Sequence, residues 1–215
     1  MRLERHNSVF KPAPGRHYIA LYKPFRMLSQ FSPTEDETKE TLALCELPKN
    51  VYPVGRLDFD SEGLLLLSDD ARLNAYLLDP QNAHERTYWA QVENIPSAQQ
   101  LQELSQGIVI ENERTLPAHA ELLDFEPVLP ERDPPIRFRK NIPTSWLSLT
   151  LIEGRNRQVR KMTAAINCPT LRLIRQSIGQ LDLFDLALEP GQWCDLDDEQ
   201  LSFAFERVHN LSKNA

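Results

Sequence analysis

The sequence predicts an α+β protein built on a mixed, mostly antiparallel sheet with flanking helices. Segments with strand-like and helix-like spacing of apolar residues follow one another along the 215 residues, without the regular strand–helix–strand order of a parallel α/β fold. Hydrophobic residues make up 41% and charged residues 26% of the chain, which are ordinary values for a globular protein. A chain of this length can bury a sizeable core, either as one large domain or as two closely packed subdomains.

Seven strands are predicted from short apolar runs or from alternation of apolar and polar residues. They are expected near residues 18–22, 52–54, 64–67, 86–92, 108–110, 118–124 and 147–151. In the fourth of these, Tyr88, Ala90 and Val92 alternate onto one face, which is the spacing of a half-buried strand. The first strand ends at Lys23-Pro24, because proline lacks the N–H that a strand ladder requires.

Four helices are predicted from apolar spacing and from capping residues. They are expected near residues 41–45, 70–78, 97–106 and 158–166. Ser97 and Gln100 form the sequence pattern of a capping box at the start of the third helix, and Gly107 follows its end. A proline-rich excursion (residues 126–143) separates two strands, and we expect it to project as a basic loop.

The domain prediction separates a flexible basic arm (residues 1–16), a main domain (residues 17–195) and a C-terminal extension (residues 196–215). The N-terminal residues lack the apolar segment of a signal peptide, and the longest leucine run, 64–67, is too short to span a membrane. The three cysteines, Cys45, Cys168 and Cys194, are an odd number and lie far apart, which favours neither a disulfide framework nor a zinc site. We therefore expect a cytoplasmic monomer that binds no metal, cofactor or membrane.

Basic residues are concentrated in one part of an acidic chain. Residues 132–175, called the basic segment below, hold ten Lys or Arg against two acidic residues, a net charge of +8 within a chain of net charge −7. The other residues must therefore carry −15. This asymmetry favours one positive surface that contacts a polyanion such as RNA, although a solvated face of helices and loops is the alternative. The basic residues are Arg132, Arg137, Arg139, Lys140, Arg155, Arg157, Arg160, Lys161, Arg172 and Arg175.

An acidic motif spans residues 55–63, where Asp58, Asp60 and Glu62 occupy alternate positions. The spacing approaches that of a calcium-binding loop, but the context is unfavourable. Leu66 stands where the loop should offer an oxygen ligand, and residues 51–54 are strand-like where a helix should enter. A pair of carboxylates for glycoside hydrolysis is a further alternative, for which the sequence identifies no second acid.

A basic motif spans residues 153–162. On a helix beginning near Arg157, residues Arg157, Arg160 and Lys161 share one face, whereas the apolar residues of the segment face the core. Gly154 allows the chain to turn, and Asn156 is the expected N-cap. An ordinary amphipathic helix with a basic outer face is the alternative to a binding site.

Five blocks of sequence together resemble the RsuA/RluB/RluE branch of the pseudouridine synthases, and most closely its RluE type. The resemblance runs in order from about Tyr18 to Trp193 and includes the proline-rich excursion. It implies the pseudouridine synthase fold over the main domain, without the N-terminal S4 domain of most members. The blocks are Gly-Arg-Leu-Asp (55–58), Ser-x-Gly-Leu-Leu-Leu-Leu (61–67), Arg-Thr-Tyr (86–88), Glu-Gly-Arg-Asn-Arg-Gln-Val-Arg-Lys-Met (153–162) and Leu-Arg-Leu-Ile-Arg (171–175).

The resemblance implies an isomerase that converts a uridine of large-subunit ribosomal RNA to pseudouridine without metal or cofactor. Asp58 would be the nucleophile, Tyr88 would stack on the uracil, Arg160 would pair with Asp58, and Leu173 would line the base pocket. Arg86 stands where the family has Lys, which preserves the charge. The other residues expected to bind substrate are Arg56, Arg86, Arg155, Arg157, Lys161 and Arg175.

Two other functions are compatible with the sequence. One is a non-catalytic RNA-binding factor in ribosome assembly, and the other is the same isomerisation on small-subunit ribosomal RNA. For individual residues, Asp58 could instead be a structural ion-pair acid and Tyr88 a half-buried strand aromatic. From the residues alone Leu173 is an ordinary core position, and its role in the base pocket rests wholly on the resemblance.

Overall fold

A nine-stranded sheet dominates the structure, a computed structural model that describes residues 10–136, 139, 141–209 and 211. Residues 1–9 of the predicted arm, Arg137 and Lys140 of the basic segment, and most of the chain beyond residue 209 lie outside the described residues. Small helices cover the sheet, and its strand pairs are antiparallel except at one junction. The predicted α+β class with a mostly antiparallel sheet is confirmed.

Thirteen strands and four α-helices occur in the described part of the chain. The helices are α1 (Ala71–Leu78), α2 (Ala98–Ser105), α3 (Gln158–Ala165) and α4 (Asp198–Phe203), with 3-10 helices at Leu42–Cys45 and Phe184–Leu186. The strands are β1 (Tyr18–Lys23), β2 (Met27–Leu28), β3 (Glu40–Thr41), β4 (Tyr52–Pro53), β5 (Glu62–Ser68), β6 (Arg86–Glu93), β7 (Val109–Ile110), β8 (Glu113–Arg114), β9 (His119–Leu122), β10 (Thr144–Leu151), β11 (Thr170–Ile178), β12 (Leu181–Asp182) and β13 (Trp193–Asp195).

The main sheet has the strand order β13-β1-β5-β11-β6-β10-β9, with β4 on β5 and β12 on β11. Strands β5 and β11 form its parallel junction, which is only two residue pairs long: Ile174 lies opposite Glu62, and Arg175 opposite Gly63. We call this junction the seam. It joins a half built on β1 and β5 to a half built on β6, β10 and β11.

Side chains reinforce the seam. Arg172 donates from Nε and Nη2 to the two carboxylate oxygens of Glu62, at 2.9 and 2.7 Å, and both side chains are more than 90% buried. Arg175 donates from Nε to the main-chain oxygen of Leu64 at 2.7 Å. Because these groups are buried, loss of the Arg172–Glu62 pair would leave a charge uncompensated within the protein, and loss of the Arg175 contact would leave a buried donor unpaired.

Buried side chains fill both faces of the sheet. Strand β5 is buried along all seven residues, so that its alternate leucines enter two different cores. The inner residues predicted for α3, among them Val159 and Met162, belong to the second core as expected, because their spacing places them on one helical face. The first core contains Tyr18, Leu64 and Leu66, the second Leu149, Met162 and Leu173, and the third Ile19, Leu65 and Leu67.

Local capping explains where the helices begin. The predicted capping box of α2 is present: Ser97 Oγ accepts from the Gln100 N–H, and the Gln100 side chain accepts from the Ser97 N–H. The predicted N-cap of α3, Asn156, is wrong. Arg157 occupies that position with φ 53° and no side-chain cap, and the Gln158 side chain instead accepts from the Arg155 N–H.

Residues on both sides of the predicted main domain pack against it. Phe10 contacts Tyr18 edge to face, with ring centroids 6.0 Å apart. Leu201 of α4 belongs to the first core. The Glu85 carboxylate accepts from the main-chain N–H groups of Val208, His209 and Leu211. The divisions at residues 16 and 195 stay predictions. No helix in the described part of the chain is long and apolar enough to cross a membrane.

Gly63 allows β5 to approach β11 closely. Its φ is +108°, and a β-carbon at this position would lie 2.7 Å from the main-chain nitrogen of Arg175. We expect Gly63→Ala to lower the free energy of unfolding by about 3 kcal/mol or more, because backbone strain and steric overlap both contribute. Urea denaturation measures the loss.

The matched control is Gly15→Ala. Gly15 has φ +73°, but a β-carbon at this position would have no neighbour within 4 Å, so that only backbone strain applies. A loss of about 1 kcal/mol is expected there. Equal losses in the two variants would contradict a steric constraint at the seam.

Lys23 at the end of β1 is completely buried. Its ammonium donates to the main-chain oxygens of Met27 at 2.7 Å and Pro24 at 2.8 Å. Burial lowers the pKa of Lys23 from 10.5 to about 7, although the charges of Glu62, Asp60 and Asp58 oppose the shift. In the unfolded chain the lysine regains its ordinary pKa, so that between these values the unfolded state binds more protons.

The free energy of unfolding should therefore increase as the pH rises above about 7 and Lys23 loses its proton in the folded state. The difference in unfolding free energy between the wild-type protein and Lys23→Met should shift in favour of the wild type between about pH 7.5 and 9.5. This difference can change by at most about 1.4 kcal/mol per pH unit. Comparing the two proteins cancels the titration of groups that do not interact with Lys23, and a difference independent of pH would contradict the lowered pKa.

Candidate active site

A cavity of about 300 Å³ opens where the loop before β5 faces α3 and the strands beyond the seam. Its walls come from both halves of the sheet, so that the seam determines its shape. The lining residues are Arg56, Leu57, Asp58, Ser61, Tyr88, Leu151, Glu153, Gly154, Arg155, Asn156, Arg157, Gln158, Val159 and Leu173.

The structure brings six of the ten predicted site residues to this cavity: Asp58, Tyr88, Leu173, Arg56, Arg155 and Arg157. They come from segments separated by as many as 117 residues in the sequence. The acidic motif and the basic motif, which are far apart in the chain, therefore face each other across one cavity. Arg160, Arg86, Lys161 and Arg175 do not line it.

Asp58 exposes 32% of its side chain at the cavity. Its carboxylate accepts no hydrogen bond from any residue that the structure describes, and the nearest paired cation is Arg157, with Nη1 3.9 Å from Oδ2. Its main-chain oxygen accepts from the Ser61 N–H at 3.1 Å, which closes a tight turn after the carboxylate. The carboxylate oxygens are thus available to a bound molecule.

Asp60, rather than Asp58, holds the two arginines of α3. Arg157 donates to both carboxylate oxygens of Asp60, at 2.7 and 2.9 Å. Arg160 donates from Nη2 to the Asp60 main-chain oxygen at 2.6 Å, and its Nε lies 3.4 Å from Oδ2. The direct pairing of Arg160 with Asp58 is therefore not formed in this structure, because Asp60 lies nearer to the helix and takes the guanidinium.

These contacts change the pKa values of the ion-pair partners. Partial burial raises the pKa of Asp60, but the hydrogen bond from Arg157 and the charges of Arg160 and Arg157 outweigh it, so that the pKa lies below its ordinary value. The hydrogen bond to Asp60 raises the pKa of Arg157. Asp60 is thus a fixed negative charge that keeps two guanidiniums beside Asp58.

Tyr88 and Leu173 stand on the same face of two adjacent strands. In the antiparallel pair of β6 and β11, Tyr88 lies opposite Arg175 and Leu173 opposite Ala90. Tyr88 and Leu173 are therefore diagonal neighbours, a relation that separates α-carbons by about 7–8 Å. Tyr88 is half-buried and packs against the second and third cores, so that its ring is held in place.

Three predicted substrate-binding residues contact other parts of the protein and not the cavity. Arg86 donates to the main-chain oxygens of Leu77, at 2.8 Å, and His84, at 3.3 Å. Arg175 is only 3% exposed and belongs to the seam. Lys161 pairs with Glu111 at 2.8 Å. That these side chains bind substrate stays a prediction. Arg86 and Arg175 donate to protein acceptors away from the cavity, although Nη2 of Arg175 is buried without a hydrogen-bond partner among the described residues.

The prediction of one positive surface formed by the basic segment is correspondingly wrong in part. Arg172 and Arg175 are internal. The guanidinium of Arg132 lies 4.2 Å from the ring centroid of Phe25 and donates to the main-chain oxygen of Leu171. The net charge of a segment does not reveal which of its arginines stabilise the fold.

Sequence reasoning does not identify the roles of Asp60 and Glu153. Glu153 lines the cavity, but its carboxylate accepts from the Leu116 N–H, from the Gln158 amide and from Arg155. It organises the loop before α3, whereas the Asp58 carboxylate accepts no hydrogen bond from a described residue and has only the 3.9 Å contact with Arg157. The alternation of acids at 58, 60 and 62 is the available signal for Asp60, but that spacing by itself indicates only a cation site.

The alternating carboxylates do not form a metal cluster. Asp60 is paired with Arg157, and Glu62 with Arg172 across the seam. Among residues 10–136, 139, 141–209 and 211, no three His, Cys, Asp or Glu side chains are grouped so that they could hold an ion.

The chain is similar to curated proteins over most of its length. It is 50% identical over 175 residues to ribosomal large subunit pseudouridine synthase E of Xanthomonas campestris pv. campestris, covering 81% of this chain and 92% of that protein. It is 49% identical over 182 residues to the protein of the same name from Vibrio parahaemolyticus, covering 85% of this chain and 74% of that protein.

The fold is similar to that of a solved protein. A crystal structure described as pseudouridylate synthase superposes with a TM-score of 0.71 and 26% sequence identity, covering 88% of this chain and 74% of that one. Residues 17–165 match the RNA pseudouridylate synthase family. The resemblance drawn from the five sequence blocks is thereby confirmed, and the chain belongs to the pseudouridine synthases, the isomerases that convert uridine in RNA to pseudouridine.

Proposed function

We propose that the protein isomerises a uridine of large-subunit ribosomal RNA, with Asp58 as the catalytic carboxylate. The assignment depends on the hydrogen bonding of the two acids that line the cavity, Asp58 and Glu153. Glu153 is fully engaged by neighbouring donors, whereas Asp58 has free carboxylate oxygens and lies on the same cavity as Tyr88 and Leu173. Relatives at 49–50% identity carry a name that specifies the large subunit, which supports this substrate.

The reaction breaks the glycosidic bond between C1′ and N1, turns the uracil, and joins C5 to C1′. The proton leaves C5 and N1 gains one, so that the composition of the nucleotide is unchanged and no oxidant or reductant is needed. A carboxylate serves this reaction by attacking the nucleotide or by removing a proton. Nη1 of Arg157, 3.9 Å from Oδ2 of Asp58, places a positive charge beside this carboxylate.

The detached base must be held while it turns. Tyr88 offers an aromatic face and Leu173 an apolar one, and both line the cavity from the same face of two adjacent strands. Stacking of a base on an aromatic side chain contributes about 1–3 kcal/mol. The tyrosine hydroxyl is available to relay the C5 proton.

The target nucleotide must leave its stack to enter the cavity, at a cost of a few kcal/mol. Arg56 and Arg155 line the cavity, and Arg56 is exposed there, so that phosphate contacts from these side chains would offset part of the cost. In this scheme Arg160 acts through Asp60, which it and Arg157 bind, and not on the nucleotide. A monomer acting on ribosomal RNA in the cytoplasm completes the proposal.

We expect Asp58→Asn to lower the rate of pseudouridine formation by about four orders of magnitude or more, because the amide can neither attack nor take a proton. Binding of the RNA should stay within about threefold of wild type. Tritium release from 5-tritiated uridine in a transcript measures the rate, and filter binding measures affinity.

Asp60→Asn is the comparison variant. Losing the pairs to Arg157 and Arg160 should reduce the rate by about 10- to 100-fold through misplacement of Asp58, without abolishing it. An inactive Asp60→Asn protein beside an active Asp58→Asn protein would transfer the catalytic role to Asp60.

The substrate is tested by mapping pseudouridine in the ribosomal RNA of cells with and without the gene. We expect deletion to remove modification from large-subunit RNA alone, and the wild-type gene, but not Asp58→Asn, to restore it. Loss from small-subunit RNA would make that RNA the substrate, and unchanged RNA would favour the assembly factor.

A further inference from the structure

We propose that Ser29 is a positioning residue that aims Asp58 into the cavity. It lies in the segment after β2, 29 residues before Asp58, and its hydroxyl binds the main chain of the residue preceding the carboxylate. The inference rests on the assignment of Asp58 as the catalytic group. It adds a residue outside the five sequence blocks to the machinery of the site.

The contact between Ser29 and Leu57 has two hydrogen bonds. Ser29 Oγ donates to the Leu57 main-chain oxygen at 2.8 Å and accepts from the Leu57 N–H at 3.1 Å. Both residues are more than 90% buried, so that water cannot replace the hydroxyl. One side chain therefore satisfies both main-chain groups of Leu57 and restricts rotation of the peptide that leads into Asp58.

The main chain on both sides of Ser29 is held by contacts with other segments. Strand β2, which precedes it, pairs with β3, and the Lys23 ammonium donates to the Met27 main-chain oxygen at 2.7 Å. The main-chain oxygen of the residue after it, Gln30, accepts from the Leu42 N–H at 2.9 Å. The hydroxyl thus transmits the position of a rigid segment to the loop that bears the carboxylate.

The loop after Asp58 is anchored by different contacts. The Ser61 N–H binds the Asp58 main-chain oxygen, and Arg160 binds that of Asp60. These contacts fix the chain downstream, but no described residue donates to the Asp58 carboxylate itself. Its nearest described cation, Nη1 of Arg157, lies 3.9 Å away, beyond hydrogen-bond distance. The direction of the side chain therefore depends mainly on main-chain anchors on both sides, and Ser29 supplies the anchor upstream.

Ser68 provides a matched control within the same protein. Its hydroxyl also bridges two main-chain groups, donating to the His17 oxygen at 2.6 Å and accepting from the Asp70 N–H at 3.0 Å. Like Ser29 it is more than 90% buried. It lies at the opposite end of β5 from the Asp58 loop, about 20 Å along the strand. Removing this hydroxyl removes the same kinds of bond away from the cavity.

The experiment measures kcat and KM for Ser29→Ala, Ser29→Thr and Ser68→Ala, at a temperature where circular dichroism shows all three proteins folded. We expect Ser29→Ala to lower kcat by about 10- to 100-fold, the usual effect of a misplaced catalytic group, with KM within about twofold of wild type. Ser29→Thr, which keeps a hydroxyl, should recover most of kcat. Ser68→Ala should reduce the melting temperature but leave kcat within about twofold.

Three results would overturn the inference: a kcat of Ser29→Ala within twofold of wild type, equal losses of kcat in Ser29→Ala and Ser68→Ala, or no recovery in Ser29→Thr. An active Asp58→Asn protein would refute the proposed function instead. An inactive Asp58→Asn protein beside a fully active Ser29→Ala protein would refute only the role of Ser29.

Discussion

The buried contact between β5 and β11 is the constraint on which the site depends. Asp58 precedes β5, whereas Tyr88 and Leu173 belong to strands on the other side of the seam. Two residue pairs, the Glu62–Arg172 ion pair and the Arg175–Leu64 hydrogen bond join these halves. A small shear at this junction would change the distance between the carboxylate and the surfaces proposed to hold the base.

The three alternating acids of the Asp58 loop have different roles: two form ion pairs that stabilise the structure, and one is available for the reaction. Glu62 is neutralised by Arg172 across the seam, and Asp60 by Arg157. Asp58 is the member of the series that keeps free oxygens. One sequence pattern thus supplies two attachments to the opposite half and one reactive group, and each attachment limits where that group can lie.

The elements that sequence predicts best are those with a local signal. The capping box of α2 and the alternation of Tyr88 and Ala90 depend on neighbours within a few residues. Strand β11 escapes prediction because it is central and buried on both faces, while Arg172 and Arg175 interrupt its apolar pattern. The family blocks predict Asp58 and Tyr88 as site residues, but partners such as Asp60 for Arg160 depend on long-range geometry that no local pattern encodes.

The separation of β5 and β11 along the chain also bears on how the protein reaches its native state. The contacts of Arg172 and Arg175 with β5 close loops of 110 and 111 residues, whereas β1 and β5 lie within one stretch of about 50 residues. Contacts between residues this far apart in the sequence form slowly, because the entropy cost of closing the loop arises before the burial of the contacting surfaces can stabilise them. Because Leu173 of β11 lines the cavity, the cavity cannot be complete during synthesis until β11 has left the ribosome.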